Sequence, residues 1–180
     1  MALDPGNVRH CLCAVGCSIV LLTGCGSSQH RVIELDSSDS SFRAEELDCE
    51  LSFDGVVDRR QSKRFVDPSW NTYDVENFLD YLDGHIDAIT CCGQKGPELK
   101  VEVRHAYAQG KAMRGFYTVV LSLILDDSPP IVLRGRHDVT NWLGSSREFQ
   151  LGLTAAADQA LNKIHAILAE SKQCRFESEP

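Results

Sequence analysis

The sequence predicts an α+β fold, a two-layer sandwich of order β-α-β-β-β-α in which a four-stranded mixed sheet carries two helices on one face. Three observations predict it. A stretch around residue 50 alternates apolar and polar residues, two segments carry apolar residues at helical spacing, and three β-rich runs punctuated by turns lie between those segments.

In the first strand, Leu47, Cys49, Leu51 and Phe53 alternate with Asp48, Glu50, Ser52 and Asp54, the period of a strand with one wet face. The first helix follows: Val75, Phe78, Leu79, Leu82, Ile86 and Ile89 form its apolar stripe. Asp80, Asp83 and Asp87 with Glu76 make the opposite stripe acidic, and Asn71 or Thr72 is the expected cap. Three strands are predicted next, at 99–108, 116–125 and 131–141. The segments 109–115 and 126–130, rich in Gly, Asp and Pro, read as turns. The second helix opens on Ser145 and Glu148 at capping-box spacing. Its apolar face runs through Phe149, Leu153, Ala156, Ala157, Ala160, Leu161, Ile164, Ile167 and Leu168.

The N-terminal segment is of a different kind. Arg9 and His10 precede an apolar run from Cys11 to Leu22, too short to span a bilayer, and Leu22-Thr23-Gly24-Cys25 follows. This motif resembles the lipobox of bacterial lipoproteins, in which Leu, a small or β-branched residue and Gly or Ala precede the cysteine that is acylated. The resemblance implies that residues 1–24 are a signal peptide, that Cys25 becomes the lipidated N-terminus with a diacylglyceryl group and an N-acyl chain such as palmitate, and that the protein is anchored to a membrane without crossing it. Gly26, where the family uses Asp to retain lipoproteins at the inner membrane, implies the periplasmic face of the outer membrane. Residues 25–44, rich in Ser and Asp, are expected to form a flexible tether in which Val32, Ile33 and Leu35 could pair as an edge strand. Residues 45–180 are expected to form a single periplasmic domain. The element order is also similar to that of small envelope-assembly and transport-auxiliary lipoproteins.

The formal net charge is −8, and removal of Asp4 and Arg9 with the signal peptide leaves it unchanged. Such an acidic domain is a poor partner for nucleic acid. Apart from Cys25, the mature chain has Cys49, Cys91, Cys92 and Cys174. In an oxidising compartment two disulfides are expected. A bond between the neighbours Cys91 and Cys92 is strained, so one of these is expected to reach Cys49 and the other Cys174. The alternative, a four-thiolate zinc site, lacks paired Cys-x-x-Cys spacing. No metal or cofactor is expected.

Alternating chain direction places these cysteines at one pole of the sandwich. The opposite pole receives Arg59, Arg60, Lys63 and Arg64 from the long connection before the first helix. It also receives Lys111 and Arg114 from a turn, Arg147 from the second helix, and Trp70 and Trp142. Basic side chains beside helix N-termini favour an anionic visitor. The pole reads equally as a solvated loop surface with two tryptophans covering the core. A second candidate is the helix-free sheet face, with Arg104, Arg134 and Arg136 beside Phe116, Val120 and Ile124.

No nucleophile elbow, zinc-protease helix, P-loop or Rossmann glycine pattern is present. His85, His105, His137 and His165 lack ligand spacing and read as packing or surface residues. The acidic stripe of the first helix reads as a solvated face, since a regular helix does not wrap calcium. The expectation is a non-enzymatic binding or assembly factor whose partner is an envelope protein, a cell-wall polymer or lipopolysaccharide. The alternatives are an auxiliary subunit of an envelope transporter or secretion system, and an enzyme acting on envelope material.

Expressed whole in a diderm bacterium and extracted from membranes, the chain is expected to have the intact mass of residues Cys25–Pro180 plus a diacylglyceryl group and one N-acyl chain. An unprocessed chain beginning at Met1 would overturn the lipobox reading.

Overall fold

The computed structural model describes residues 29–43, 47–49, 51–66, 71–90, 96–111, 114–140, 144–171 and 174–175, of which 48, 49, 111, 174 and 175 are described by backbone alone. The lipobox, Cys91, Cys92, Trp70 and Trp142 lie outside these residues.

The main sheet has four strands: β3 (Ser52–Asp58), β6 (Glu98–Lys111), β7 (Arg114–Leu125) and β8 (Ile131–Thr140), in that spatial order. β3 runs parallel to β6, and the other neighbours are antiparallel. Helix α1 (Phe78–Thr90) connects β3 to β6, and α2 (Ser146–Glu170) follows β8. The α+β sandwich is therefore present. Both helices were legible for a simple reason: the buried residues Phe78, Leu82, Ile86 and Ile89 of α1, and Phe149, Leu153, Ala157, Leu161, Ile164 and Leu168 of α2, repeat every three or four positions. Ser145 caps α2 in a capping box with Glu148. The three long strands match their predicted ranges to within three residues at each end.

Two parts differ from expectation. The strand in the main sheet is Ser52–Asp58, later than the alternating stretch. Of that stretch, Leu47 and Leu51 are buried and Asp48–Cys49 forms the short β2, which pairs with β9 (Cys174–Arg175). The long connection before α1 also folds: β4 (Phe65–Val66) and β5 (Thr72–Val75) join β1 (His30–Ile33) in a second sheet of order β1-β5-β4. β1 contains Val32 and Ile33 of the expected edge strand and lies at the edge of its sheet, whereas β4 and β5, of two and four residues, carry too little period to be read in advance. Thus α1 begins at Phe78, where the Asn77 carbonyl accepts from the Tyr81 N–H at 2.8 Å, and the expected cap residues Asn71 and Thr72 lie outside it.

Residues 29–43, within the expected tether, pack onto the domain. Leu35 and Phe42 are buried, and the Asn77 side chain holds the Leu35 backbone by donating to its carbonyl at 2.8 Å and accepting from its N–H at 2.7 Å. The segment closes on Asp158 of α2, only 2 % exposed, whose carboxylate accepts from the Ser40 hydroxyl (2.9 Å), the Ser41 N–H (2.7 Å) and hydroxyl (2.9 Å), and the Phe42 N–H (3.3 Å). Tyr81 of α1 donates to the same carboxylate at 2.7 Å. A buried carboxylate is tolerable only with its oxygens satisfied. A Ser-rich stretch that reads as a leash supplies hydroxyl and amide donors for it.

The inner face of the sheet, with Val101, Val103, Val119, Leu121, Leu123 and Leu133, packs under the helices. Here α2 sits unusually close. A Cβ added to Gly135 of β8 would lie 1.8 Å from the Ala156 carbonyl oxygen, and one added to Gly152 would strike the Tyr117 ring at 2.2 Å. The same helix protects the outer edge of β8: Gln159 accepts from the Arg136 N–H at 3.2 Å and Lys163 donates to the Arg134 carbonyl at 2.7 Å. Those are backbone groups that an open edge would offer to another strand.

Gly135→Ala and Gly152→Ala are expected to destabilise the fold by at least 1–3 kcal/mol, roughly the range for overpacking. Gly84→Ala, at an exposed α1 position with nothing within 4 Å, is expected to raise stability by about 0.5–1 kcal/mol through helix propensity. Urea unfolding of the three variants checks both signs.

Candidate functional site

At the end of β3 the chain turns back on itself. The Arg60 N–H donates to Asp58 Oδ1 at 3.0 Å, and the guanidinium of Arg60 binds the same carboxylate through Nε (2.9 Å to Oδ1) and Nη2 (3.0 Å to Oδ2). The Arg60 and Asp58 side chains are only 6 % and 7 % exposed. Burial is made tolerable by two aromatic faces: the guanidinium carbon lies 4.8 Å from the Phe78 ring centroid and 5.4 Å from that of Phe65. The hydrogen bonds from Arg60 hold the Asp58 carboxyl below the usual carboxylate range. Arg60 Nη1 is buried and has no hydrogen-bond partner among the described residues.

Beside this pair lies a cavity of about 400 Å³, lined by Arg60, Lys63 and Arg64 with Asp58, Asp74, Glu76 and the apolar Val75, Phe78 and Leu79. Arg64 pairs with Asp74 at 3.4 Å, and His30 approaches the other oxygen of that carboxylate at 3.3 Å. Lys63 is exposed and makes no ion pair among the described residues.

The remaining basic residues of the expected pole are dispersed. Arg59 pairs with Glu102 at 3.2 Å, and Arg104 pairs with the same carboxylate at 2.7 Å. Arg147 forks onto Asp39 beside the 3-10 turn Ser37–Asp39. Arg114 is exposed at the start of β7, and Lys111 ends β6. Three of the predicted residues thus line one cavity. Acidic partners compensate most of the charge: Asp58 flanks the basic connection in the sequence itself, whereas Glu102, Asp74 and Asp39 come from three separate segments and are what the sequence reading missed. The rings of Phe65, Tyr73, Phe78, Tyr117 and Phe149 pack behind the cavity, with Tyr73 stacked on Phe149 at 4.0 Å.

On the helix-free sheet face, Arg104, Arg134 and Arg136 are exposed, and Arg136 lies over Phe116 at 5.0 Å while pairing with Asp138. Val120 and Thr118 beneath them are buried, while Val132 is 65 % exposed.

A second cavity, about 350 Å³, opens between residues 35–37 and α1, lined by Leu35, Ser37, Asn77, Asp80, Tyr81, Gly84 and His85. The His85 ring meets Tyr81 edge-on at 4.6 Å and Phe42 at 5.6 Å, and its buried Nε2 has no hydrogen-bond partner among the described residues. Burial lowers the His85 pKa from its usual 6.5; Asp158 acts in the opposite direction, and Arg43 adds to the lowering. The acidic stripe of α1 is also not wholly solvated, because Asp83 accepts from the Val56 N–H at 2.9 Å beside an irregularity in the β3–β6 register. No cluster of metal-ligating side chains occurs among the described residues, and no described helix is long and apolar enough to cross a membrane.

No protein family matches the chain, and no curated protein does. A solved structure described as the crystal structure of an uncharacterized protein is similar over 79 % of this chain and 99 % of its own, at 8 % identity and a TM-score of 0.42.

A histidine whose folded pKa is lowered takes up a proton more readily in the unfolded chain, so its contribution is fully present above pH 6.5 and is lost as the pH falls below that value. Wild-type protein is therefore expected to lose thermal stability between pH 7 and pH 5. His85→Gln is expected to flatten that slope, as read by melting temperature across the range.

Proposed function

We propose that this protein is a lipid-anchored, non-enzymatic binding or assembly factor of the periplasmic side of the outer membrane, and that it receives an anionic group of an envelope partner in the cavity of Arg60, Lys63 and Arg64. The observation that carries the reading is the buried Arg60 guanidinium. It is fixed by Asp58 and two rings, its buried Nη1 has no hydrogen-bond partner among the described residues, and Arg60 lines a cavity together with Lys63, which makes no ion pair among the described residues. Such an arrangement is organised before a ligand arrives, so little ordering cost is added on binding. A planar guanidinium is suited to carboxylate or phosphate oxygens. The lipobox resemblance at Leu22–Cys25 supports the anchor and the compartment.

Replacing all four bases of the connection together is the wrong test, because Arg60 also holds the end of β3. Lys63→Ser with Arg64→Ser changes exposed side chains only. In a Cys25→Ser background, this double variant is expected to keep the wild-type melting temperature and to lose at least tenfold in affinity for purified lipopolysaccharide or soluble cell-wall fragments, measured by calorimetry. Unchanged affinity would remove the cavity from the proposal.

A second reading, an auxiliary subunit of an envelope transporter docking through the open sheet face, is favoured by the exposure of Val132 (65 %) and Val57 (38 %) beside Arg104 and Arg134. In that case charge reversal at Arg104 and Arg134 would abolish partner capture, and the change at Lys63 and Arg64 would not.

A further inference from the structure

The two ends of the domain meet in a ladder only two residues long. β2 and β9 pair antiparallel, with Asp48 opposite Arg175 and Cys49 opposite Cys174. The ladder joins segments separated by both helices and the whole main sheet. Bringing such distant positions together has a high loop-closure cost, and two residue pairs in water are too few to offset it. Two contacts flank the ladder. The Leu47 N–H donates to the Ile89 carbonyl of α1 at 3.3 Å, and α2 stops where the Ser171 N–H donates to the Leu168 carbonyl at 2.9 Å, three residues before Cys174.

We infer that Cys49 and Cys174, placed directly opposite each other by the β2–β9 register, form a disulfide that closes this ladder. Residues opposite each other on an antiparallel pair have Cα atoms about 4.5–5.5 Å apart, inside the span of roughly 4.4–6.8 Å that a disulfide bridges. This pairing differs from the one expected from the sequence, in which Cys49 and Cys174 each reach one of the neighbours Cys91 and Cys92. The bridge lies at the start of β3, opposite the end that carries Arg60. It fastens the chain's last described strand to the segment that enters the domain.

The chemistry is a thiol–disulfide exchange with a disulfide oxidant such as oxidised glutathione. The Cys49 thiolate attacks one sulfur of the oxidant, releasing one thiolate and leaving a mixed disulfide. The Cys174 thiolate then attacks the Cys49 sulfur and expels the second thiolate. The two cysteines lose two electrons and two protons in total. The electrons break the oxidant's S–S bond, and the protons go to the thiolates released. The inference does not depend on the anion site, since it uses only the backbone register of the two cysteines.

The test is peptide mapping of the full chain, equilibrated natively with oxidised glutathione, alkylated with N-ethylmaleimide and digested with trypsin without reductant. Trypsin places Cys49 in peptide 44–59, Cys174 in 173–175, and Cys91 with Cys92 in 65–95. The expected product is 44–59 joined to 173–175, which reductant separates. Alkylated, free Cys49 and Cys174, or peptide 44–59 joined to any other peptide, would overturn the pairing. Reduction is further expected to lower the melting temperature of the wild type by roughly 5–15 °C, as for a long closed loop. Cys49→Ser, Cys174→Ser and their double variant are expected to share one lowered value. A double variant lowered by the sum of the two single effects would contradict a shared bond.

Discussion

The close seating of α2 on the sheet is the constraint from which the rest of the structure follows. Gly135 leaves room for the Ala156 carbonyl, and Gly152 leaves room for the Tyr117 ring, so the helix backbone rests almost directly on β8 and β7. Alanines on the facing turns keep the approach short, with Ala156, Ala157 and Ala160 fully buried. At this distance α2 reaches beyond the sheet edge, where Gln159 and Lys163 take up backbone groups of β8. Its first turns also bring Phe149 among Phe65, Tyr73 and Tyr117, which roots the small second sheet to the large one.

Once α2 is fixed, Asp158 is fixed with it. A carboxylate in that position demands donors from every side, and they come from Tyr81 on α1 and from Ser40, Ser41 and Phe42 on the N-terminal segment. One buried charge thus links three parts of the chain that are far apart in sequence. It also explains the setting of His85. The ring is wedged between Tyr81 and Phe42, both held by the same carboxylate, and its burial disfavours the charged form.

At the other end of the sandwich the governing fact is compensation of charge. Arg59, Arg60, Arg64 and Arg147 each meet an acidic side chain, and the Arg60 side chain is only 6 % exposed. A patch that is strongly basic in its local segment becomes nearly balanced once Asp58 pairs with Arg60 and Asp39, Asp74 and Glu102 are folded against it. What remains is a cavity with one rigid guanidinium, one lysine that makes no ion pair among the described residues, and an apolar side formed by Val75, Phe78 and Leu79.

The sequence by itself determined the α+β class, both helices, the capping box of α2 and the three long strands. Each rests on a repeat of apolar residues, or on a cap, that is local to one segment and long enough to be distinguished from chance. Only the tertiary structure decided the rest. The short strands β4 and β5 exist because neighbouring elements supply their hydrogen bonds and cover Tyr73 and Phe65. The docking of residues 29–43 depends on Asp158, more than a hundred positions away. The same holds for the candidate site: Arg60, Lys63 and Arg64 were legible as a cluster with Asp58 beside them, but Asp74, the partner of Arg64, was not. Ion pairing and burial are properties of distance in space, and local sequence spacing does not encode them.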